Sequence, residues 1–231
     1  FNSYTCKFRL QGDLTLLGGN FAFQWGGFTL EEGQHVIDTG AYGMTTRDMR
    51  INGTGGLTKR GSGSIYPSSA TTKPHNLSFS GPLIIEGGVF GTPAKNTKIS
   101  GTTNITISGA TSILALDAPG VAVNSNATIT ISDGGRIRIC AGNTNVVKAL
   151  VINGMPCAAG TWGAWDNGNV QYFLKTEITG PGVILVREGP QGGAYTGNAE
   201  SDLTSGVTRH WVGAEGGGDG QTWTSALNWD E

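Results

Sequence analysis

The sequence predicts an all-β protein whose short strands coil into a β-solenoid, parallel β-helix-like in form. In residues 54–91, apolar and polar side chains alternate over about four to six residues, glycine, serine and proline separate these runs, and no helical period is present. Similar cores, in residues 104–108 and 126–132, recur at the roughly 20–30-residue period expected of solenoid coils. We therefore expect short strands stacked around one long apolar core.

The first 40 residues predict the opening coils. Strand candidates lie at residues 6–11, 14–17, 21–25, 28–30 and 35–37, with glycine-containing turns between them. Phe21, Phe23, Trp25 and Phe28 form the densest aromatic cluster of the chain. Two interpretations stay open: the cluster fills the core, which is favoured, or it forms an assembly surface, because the end of a solenoid needs a cap or a partner.

The middle of the chain is its most regular part. Strand candidates lie at residues 98–100, 104–108, 112–116, 127–132, 136–140 and 148–152. In the near-copies at 104–108 and 126–132, isoleucine is expected to point inward and threonine outward, because strand side chains alternate between faces. Each buried isoleucine should contribute about 1.5–3 kcal/mol through area burial.

The last third predicts a C-terminal cap and an extended tail. Residues 154–180 interrupt the coil pattern and suggest a hairpin or loop over the open end, and a final strand follows at 182–186. Residues 1–186 would thus form the solenoid with its terminal cap, and residues 187–231 a glycine-rich linker and tryptophan-bearing strand tail. The tail's main apolar residues, which have no core of their own, are Trp211, Val212, Trp223, Leu227 and Trp229.

Three segments, taken together, resemble the autotransporter-associated β-strand repeat, also called the passenger-associated repeat. GGLTKRGSGS at residues 55–64 followed by LIIEGGVF at 83–90 looks like the repeat itself. Residues 147–186 resemble the closing module of such solenoids, and residues 210–230 resemble the tryptophan-bearing segment that opens their units. The resemblance implies a β-solenoid from a surface protein of environmental bacteria.

Composition narrows the function classes. Of 231 residues, 39 are glycine and only 14% are charged, a surface chemistry common in extracellular β-solenoids. The net charge is −2 with no basic run, which argues against a nucleic-acid partner. No apolar stretch approaches membrane-spanning length, so we expect no membrane insertion. Phe1 stands within a polar β pattern rather than a leader, and we expect a processed or excised unit located extracellularly or at the cell surface.

The side chains that could carry chemistry are dispersed. Acidic residues fall in turns, the histidines His35, His75 and His210 are isolated, and no nucleophile–base order stands out. We therefore predict no enzyme activity, no cofactor and no metal site. Cys140 and Cys157, at the end of one predicted coil and just past the next, could form a disulfide or remain buried thiols, and Cys6 would be unpaired within the chain.

Two kinds of carbohydrate signal are present. Asn-x-Ser/Thr sequons, which could carry glycans, occur at Asn52, Asn76, Asn104 and Asn126. Aromatic residues in the cap that could stack on a glycan are Trp162, Trp165 and Tyr172. For the sequons the simpler interpretation is that Asn and Thr solvate the strand faces.

The leading hypothesis is a structural subunit of an extracellular bacterial surface layer or filament. Copies of the chain would join head-to-tail when terminal strands of one extend the sheet of another. The alternative is a glycan-binding adhesin module, with carbohydrate as partner. A polysaccharide lyase or hydrolase ranks third, since its paired carboxylates are not evident in the sequence.

Overall fold

The predicted fold class is confirmed in the computed structural model, which forms a parallel β-solenoid of about five turns. The structure describes residues 3–47, 49–68, 75–92, 97–117, 120, 122–190 and 195, and for 3–7, 23–26, 46–47, 49, 67–68 and 75–76 it describes the backbone alone. All of them belong to one compact unit, Phe1–Gly197. Of the predicted tail, residues 187–190 and 195 are described and the others, with all three tryptophans, lie outside the described residues; the boundary between residues 186 and 187 stays a prediction.

Every regular element among the described residues is a strand. In chain order they are β1 Ser3–Leu10, β2 Leu14–Thr15, β3 Phe21–Leu30, β4 Gln34–Asp38, β5 Met44–Arg47, β6 Met49–Gly53, β7 Gly56–Arg60, β8 Ser64–Ser68, β9 His75–Leu77, β10 Leu83–Ile85, β11 Val89–Gly91, β12 Thr97–Ile99, β13 Asn104–Ser108, β14 Ile113–Leu116, β15 Thr128–Ser132, β16 Arg136–Ile139, β17 Thr144–Val147, β18 Ala149–Ile152, β19 Met155–Pro156, β20 Gly160–Ala164, β21 Tyr172–Leu174, β22 Ile178–Thr179 and β23 Val183–Val186.

The coils have three sides, and each side is a ladder of parallel strands. Face 1 begins with the first part of β3 and continues through β5, β8, β11, β14, β16 and β22. Face 2 runs from β1 through the second part of β3 to β6, β9 and β12. Face 3 stacks β2, β4, β7, β10, β13, β15 and β18. The hydrogen-bonded core of the fold is therefore built between coils rather than within them.

Register places equivalent side chains on top of one another. Ile107 pairs with Ile131, and Ile131 with Ile152, and all three are at most 1% exposed. Within β13 and β15, the threonines that alternate with these isoleucines face outward and are only half-buried. This is the predicted division between inward isoleucine and outward threonine. Parallel in-register stacking of branched side chains fills the core without voids.

The corner before β11 shows why glycine is so frequent. Gly88 has a φ of +63°, a conformation that side-chain-bearing residues rarely adopt. A Cβ atom at Gly88 would also lie 2.1 Å from the carbonyl oxygen of Gly63 on the coil below. Close stacking of tight corners thus excludes a side chain at this position.

Lys59 is the exception in the apolar rows. It pairs with Ile37 on one side and Ile85 on the other, and its side chain is completely buried. Its Nζ atom donates hydrogen bonds to the carbonyl oxygens of Arg60 at 2.8 Å, Gly61 at 2.7 Å and Gly87 at 2.8 Å. The lysine therefore joins the corners of two successive coils from inside, where no water is needed to satisfy these carbonyls.

The C-terminal end is capped, as predicted. Asn153 and Gly154 have φ values of +48° and +83°, the two positive values of a type I′ turn, and they reverse the chain from β18 into antiparallel β19. Strand β20 then pairs antiparallel with β23, and β21 lies parallel on β20. The final strand predicted at residues 182–186 is present as β23, which pairs with β17.

Replacing Ile131 by alanine should lower the free energy of unfolding by about 2–5 kcal/mol, because it leaves a cavity between two stacked isoleucines. The outward neighbour Thr130 provides the control, and Thr130→Ala should change stability by less than about 1 kcal/mol. Urea titrations followed by circular dichroism measure both. An equal loss of unfolding free energy in the two variants would contradict the assignment of Ile131 to the buried row and of Thr130 to the surface.

Lys59 should make stability depend on alkaline pH. Burial lowers the pKa of Lys59 from 10.5 to about 8, although Asp38 opposes the shift. Between these two pH values the unfolded chain binds the proton and the folded chain does not, so stability should rise as pH increases from about 8 to 10.5 and be insensitive to this group below pH 8. The rise should be about 3 kcal/mol.

The measurement is the free energy of urea unfolding against pH for the wild type and Lys59→Met. Subtracting the variant's profile removes the titration of all other groups, so the difference isolates Lys59. Lys98→Met, at an exposed lysine of β12, removes the same charge from the surface and serves as the control. A flat difference profile for Lys59→Met would contradict the predicted linkage.

Candidate functional site

The N-terminal end of the solenoid presents a sheet edge. Strand β1 is eight residues long and, among the described strands, pairs only with β3. On face 3 the outermost strand is β2, which has two residues and pairs with β4. A long outermost strand carries a row of backbone donors and acceptors that a further strand can use.

The aromatic cluster predicted at this end is divided between core and surface. Phe28 is 3% exposed, so it fills the first coils, which corrects its assignment to the assembly surface. Its ring lies 5.9 Å from that of Phe8, a β1 residue that is 40% exposed. Phe21 is half-buried. The side chains of Phe23 and Trp25 lie outside the described part of the chain, and their assembly role stays a prediction.

Antiparallel strands cover part of the opposite end, where β19 lies over β18 and β20 over β23, while β22 is the outermost described strand of face 1. Strand β19 covers the last strand of face 3, and its Pro156 has no N–H with which to continue a ladder. Tyr195 adds an isolated bridge: its N–H donates to the carbonyl of Pro156 at 3.0 Å, and its carbonyl accepts from Ala158 at 3.1 Å. The two ends of the solenoid therefore differ in their capacity to accept another strand.

The aromatic residues of the cap point to opposite sides of β20 and β21. Trp162 is fully buried, stacks near Tyr172 at 4.8 Å and Tyr195 at 6.0 Å, and donates its indole N–H to the carbonyl of Ala158 at 2.9 Å. Its predicted role as an exposed glycan platform is therefore wrong. Tyr172 is half-buried against this indole, so the pair belongs to the inside of the cap.

Trp165 has the exposure predicted for a glycan contact, at 63%. Phe173, which the sequence reasoning missed, is 39% exposed and pairs with Gly163 across the two strands. Strand alternation places Phe173 on the side of β21 opposite to Tyr172, whereas Trp165 lies in the turn that follows β20. The run Tyr172, Phe173, Leu174 is apolar throughout, so its sequence alone gave no signal of which ring would face outward.

A polar cleft lies next to Trp165 in the chain. It measures about 300 Å³ and is lined by Asp166, Asn167, Gly168, Asn169, Gly180 and Pro181. Asn167 holds its two walls together: the side-chain amide donates to the carbonyls of Pro181 at 3.0 Å and Gly182 at 3.3 Å, and its oxygen accepts from the backbone of Asn169 at 3.1 Å. The cleft is thus preformed by hydrogen bonds.

A second polar cluster ties together coils of face 1. The guanidinium of Arg138 donates to Asp117 at 3.0 Å through Nε and to the Tyr66 hydroxyl at 2.9 Å through Nη2. The Asp117 carboxylate raises the pKa of Arg138, which stays charged. The Tyr66 ring lies against Gly91, where an added Cβ would approach it to 2.4 Å. We interpret this cluster as a surface clamp across several coils.

The cysteines do not form the disulfide that the sequence left open. Cys140 and Cys157 are both free thiols. Cys140 follows β16 on face 1, where its sulfur lies 3.1 Å from the side-chain nitrogen of Asn143, whereas Cys157 follows the hairpin strand β19 beside face 3. The insertion of the cap hairpin moves Cys157 to a different side of the solenoid, so the two are not stacked neighbours. The side chain of Cys6 lies outside the described residues.

The remaining predicted sites can be placed only in part. Asn52, Asn104 and Asn126 are exposed, so their modification stays a prediction that the surface position permits. The Asn76 backbone belongs to β9, and its side chain is outside the described part. The tail residues lie wholly outside the described residues, so their assembly role also stays a prediction; they are Trp211, Val212, Trp223, Leu227 and Trp229.

Neither a metal cluster nor a membrane-spanning helix is found in the described part of the chain. There, no three His, Cys, Asp or Glu side chains come together as a metal site would require. No helix in this part is both long and apolar enough to cross a membrane. The chain also has no match among protein-family models, curated protein sequences or solved structures.

Thiol labelling should distinguish the two described cysteines. Burial raises the pKa of Cys157 to about 12, and its side chain is 1% exposed, so iodoacetamide at pH 8 should leave it unmodified in the folded protein. Cys140 is partly exposed and should react slowly, because burial also raises its pKa.

Peptide mass mapping after labelling measures both thiols separately. The same treatment in denaturant is the control, where both should be alkylated to completion. A peptide pair joined through Cys140 and Cys157, or rapid labelling of native Cys157, would contradict the assignment of two separate thiols.

Proposed function

We propose that the chain is a structural unit of an extracellular bacterial surface layer or filament, and that copies join by strand addition at the β1 edge. The observation that carries this proposal is the difference between the two ends. Strand β1 is eight residues long and outermost among the described strands at its end, whereas the outermost described strands at the other end, β19, β21 and β22, have only two or three residues each. Such a unit can grow at one end.

Strand addition at β1 suits the backbone of this fold. The ladder of face 2 is parallel from β1 onward, so an added parallel strand continues the existing hydrogen-bond pattern. Leu17, just after the outermost strand of face 3, is 92% exposed, which gives an incoming segment an apolar side chain to cover. Backbone hydrogen bonds supply affinity in this mode of recognition, and side-chain contacts supply specificity.

The tail of a second copy is the proposed occupant. Its tryptophans Trp211, Trp223 and Trp229 are large apolar side chains in a segment too poor in other apolar residues to bury them. Docking the tail on the β1 edge of the next copy would provide hydrogen-bond partners for the β1 backbone and would bury the indole rings. Repetition of one such heterologous contact generates a head-to-tail filament.

The test compares the wild type with a variant in which Trp211, Trp223 and Trp229 are all replaced by alanine. We expect the wild type to form concentration-dependent polymers, visible in sedimentation velocity and negative-stain micrographs, and the triple variant to remain monomeric. A chain ending at Gly197 should behave like the triple variant, because it keeps the whole compact unit that includes β23.

Trp165→Ala is the matched control, since it also removes an exposed indole but lies in the cap. It should polymerise like the wild type. Circular dichroism establishes that each variant keeps its β structure. The proposal fails when the triple variant polymerises as before, or when the wild type is monomeric at all accessible concentrations.

A further inference from the structure

We propose that the outer side of the cap is a binding site for a neutral oligosaccharide, with Trp165 as its stacking platform. This site goes beyond the structural role proposed above and does not depend on it. It combines the exposed aromatic surface of two cap residues, Trp165 and Phe173, with the preformed polar cleft of residues 166–169 and 180–181, which begins in the chain directly after Trp165.

The aromatic surface has the character of a recognition site rather than of a core. Trp165 is 63% exposed and Phe173 is 39% exposed, while the cap already has a separate apolar interior around Trp162. The described cap therefore does not need these two rings to fill its inside. A planar ring held at the surface matches the apolar C–H face of a pyranose, which buries area without requiring charge.

The adjoining cleft supplies complementary polar groups. Asp166 offers carboxylate acceptors, and the Asn169 side chain offers both a donor and an acceptor, the combination that sugar hydroxyls require. Among the described residues, the lining of the cleft includes one carboxylate and no basic side chain, which disfavours an anionic ligand. These observations favour a neutral carbohydrate over a nucleic acid or an acidic polymer.

The size of the cleft limits the ligand. A volume of about 300 Å³ is at the lower end of small-molecule sites, enough for about one or two sugar rings. Asn167 fixes the walls of the cleft before binding, through its bonds to Pro181 and Gly182. Little ordering is then required on binding, which favours affinity for so small a contact. We expect dissociation constants of about 0.1–1 mM for single sites.

The experiment uses the full chain on an array of neutral gluco-, manno-, galacto- and N-acetylglucosamine oligosaccharides, followed by tryptophan-fluorescence titration of those that bind. Saturable binding to at least one neutral probe is expected. Trp165→Ala should weaken it at least about tenfold, while Trp165→Phe, which keeps a stacking ring, should retain most of the affinity. Asn169→Ala should weaken binding to a smaller extent.

Lys98→Met is the control, because it changes an exposed side chain of β12, outside the cap and the proposed assembly contact. It should bind like the wild type, and so should the triple tail variant, which separates this proposal from the assembly role. The proposal is overturned when no neutral probe binds, when only acidic probes bind, or when Trp165→Ala binds unchanged. It is equally overturned when Trp165→Ala abolishes self-association instead, since the surface would then be a contact between copies.

Discussion

The constraint on which this fold depends is register between successive coils. Because neighbouring strands are parallel and in register, each coil must present an apolar residue at the same point as the coil below, as Ile107, Ile131 and Ile152 do on face 3. A one-residue slip would turn the apolar row of that strand toward solvent. Coil length can vary only in the corners, which explains why glycine accumulates there while the strand cores repeat so closely.

Lys59 shows how the same constraint accommodates a polar side chain. Its position belongs to the row of Ile37 and Ile85, so its aliphatic stem packs like its neighbours. Only its terminal nitrogen differs from an aliphatic side chain, and this nitrogen donates hydrogen bonds to three backbone carbonyls in the corners of two coils. These hydrogen bonds, which an isoleucine could not make, offset part of the penalty of burying an ammonium, and the lowered pKa of Lys59 reflects the remainder. Lys59 therefore links two corners by hydrogen bonds, and its stem still packs between Ile37 and Ile85 in the buried row.

The sequence was most informative where one periodicity sets the structure. The inward isoleucines, the glycine corners and the final strand at Val183–Val186 could be predicted, because alternation and recurrence depend on local sequence. It was least informative in the cap. There the rings of Trp162 and Trp165 stand three residues apart in similar surroundings, and only pairing with β21 and β23 decides which is buried. The separation of Cys140 and Cys157 likewise depends on a hairpin whose placement is a tertiary property.

Both proposed functions are located at the ends of the solenoid and not along its stacked coils. A stacked core resists unfolding, and on face 3 the outward positions of β13 and β15 are asparagine, threonine and serine, side chains without charge. Groups that could recognise a partner lie where the periodicity stops: at β1, the outermost described strand of face 2, and at Trp165 in the cap. The outermost described strands at the C-terminal end, β19, β21 and β22, have only two or three residues each, so β1 offers the longest described edge for strand addition. A solenoid with a direction is the geometry that a polymer of identical units requires.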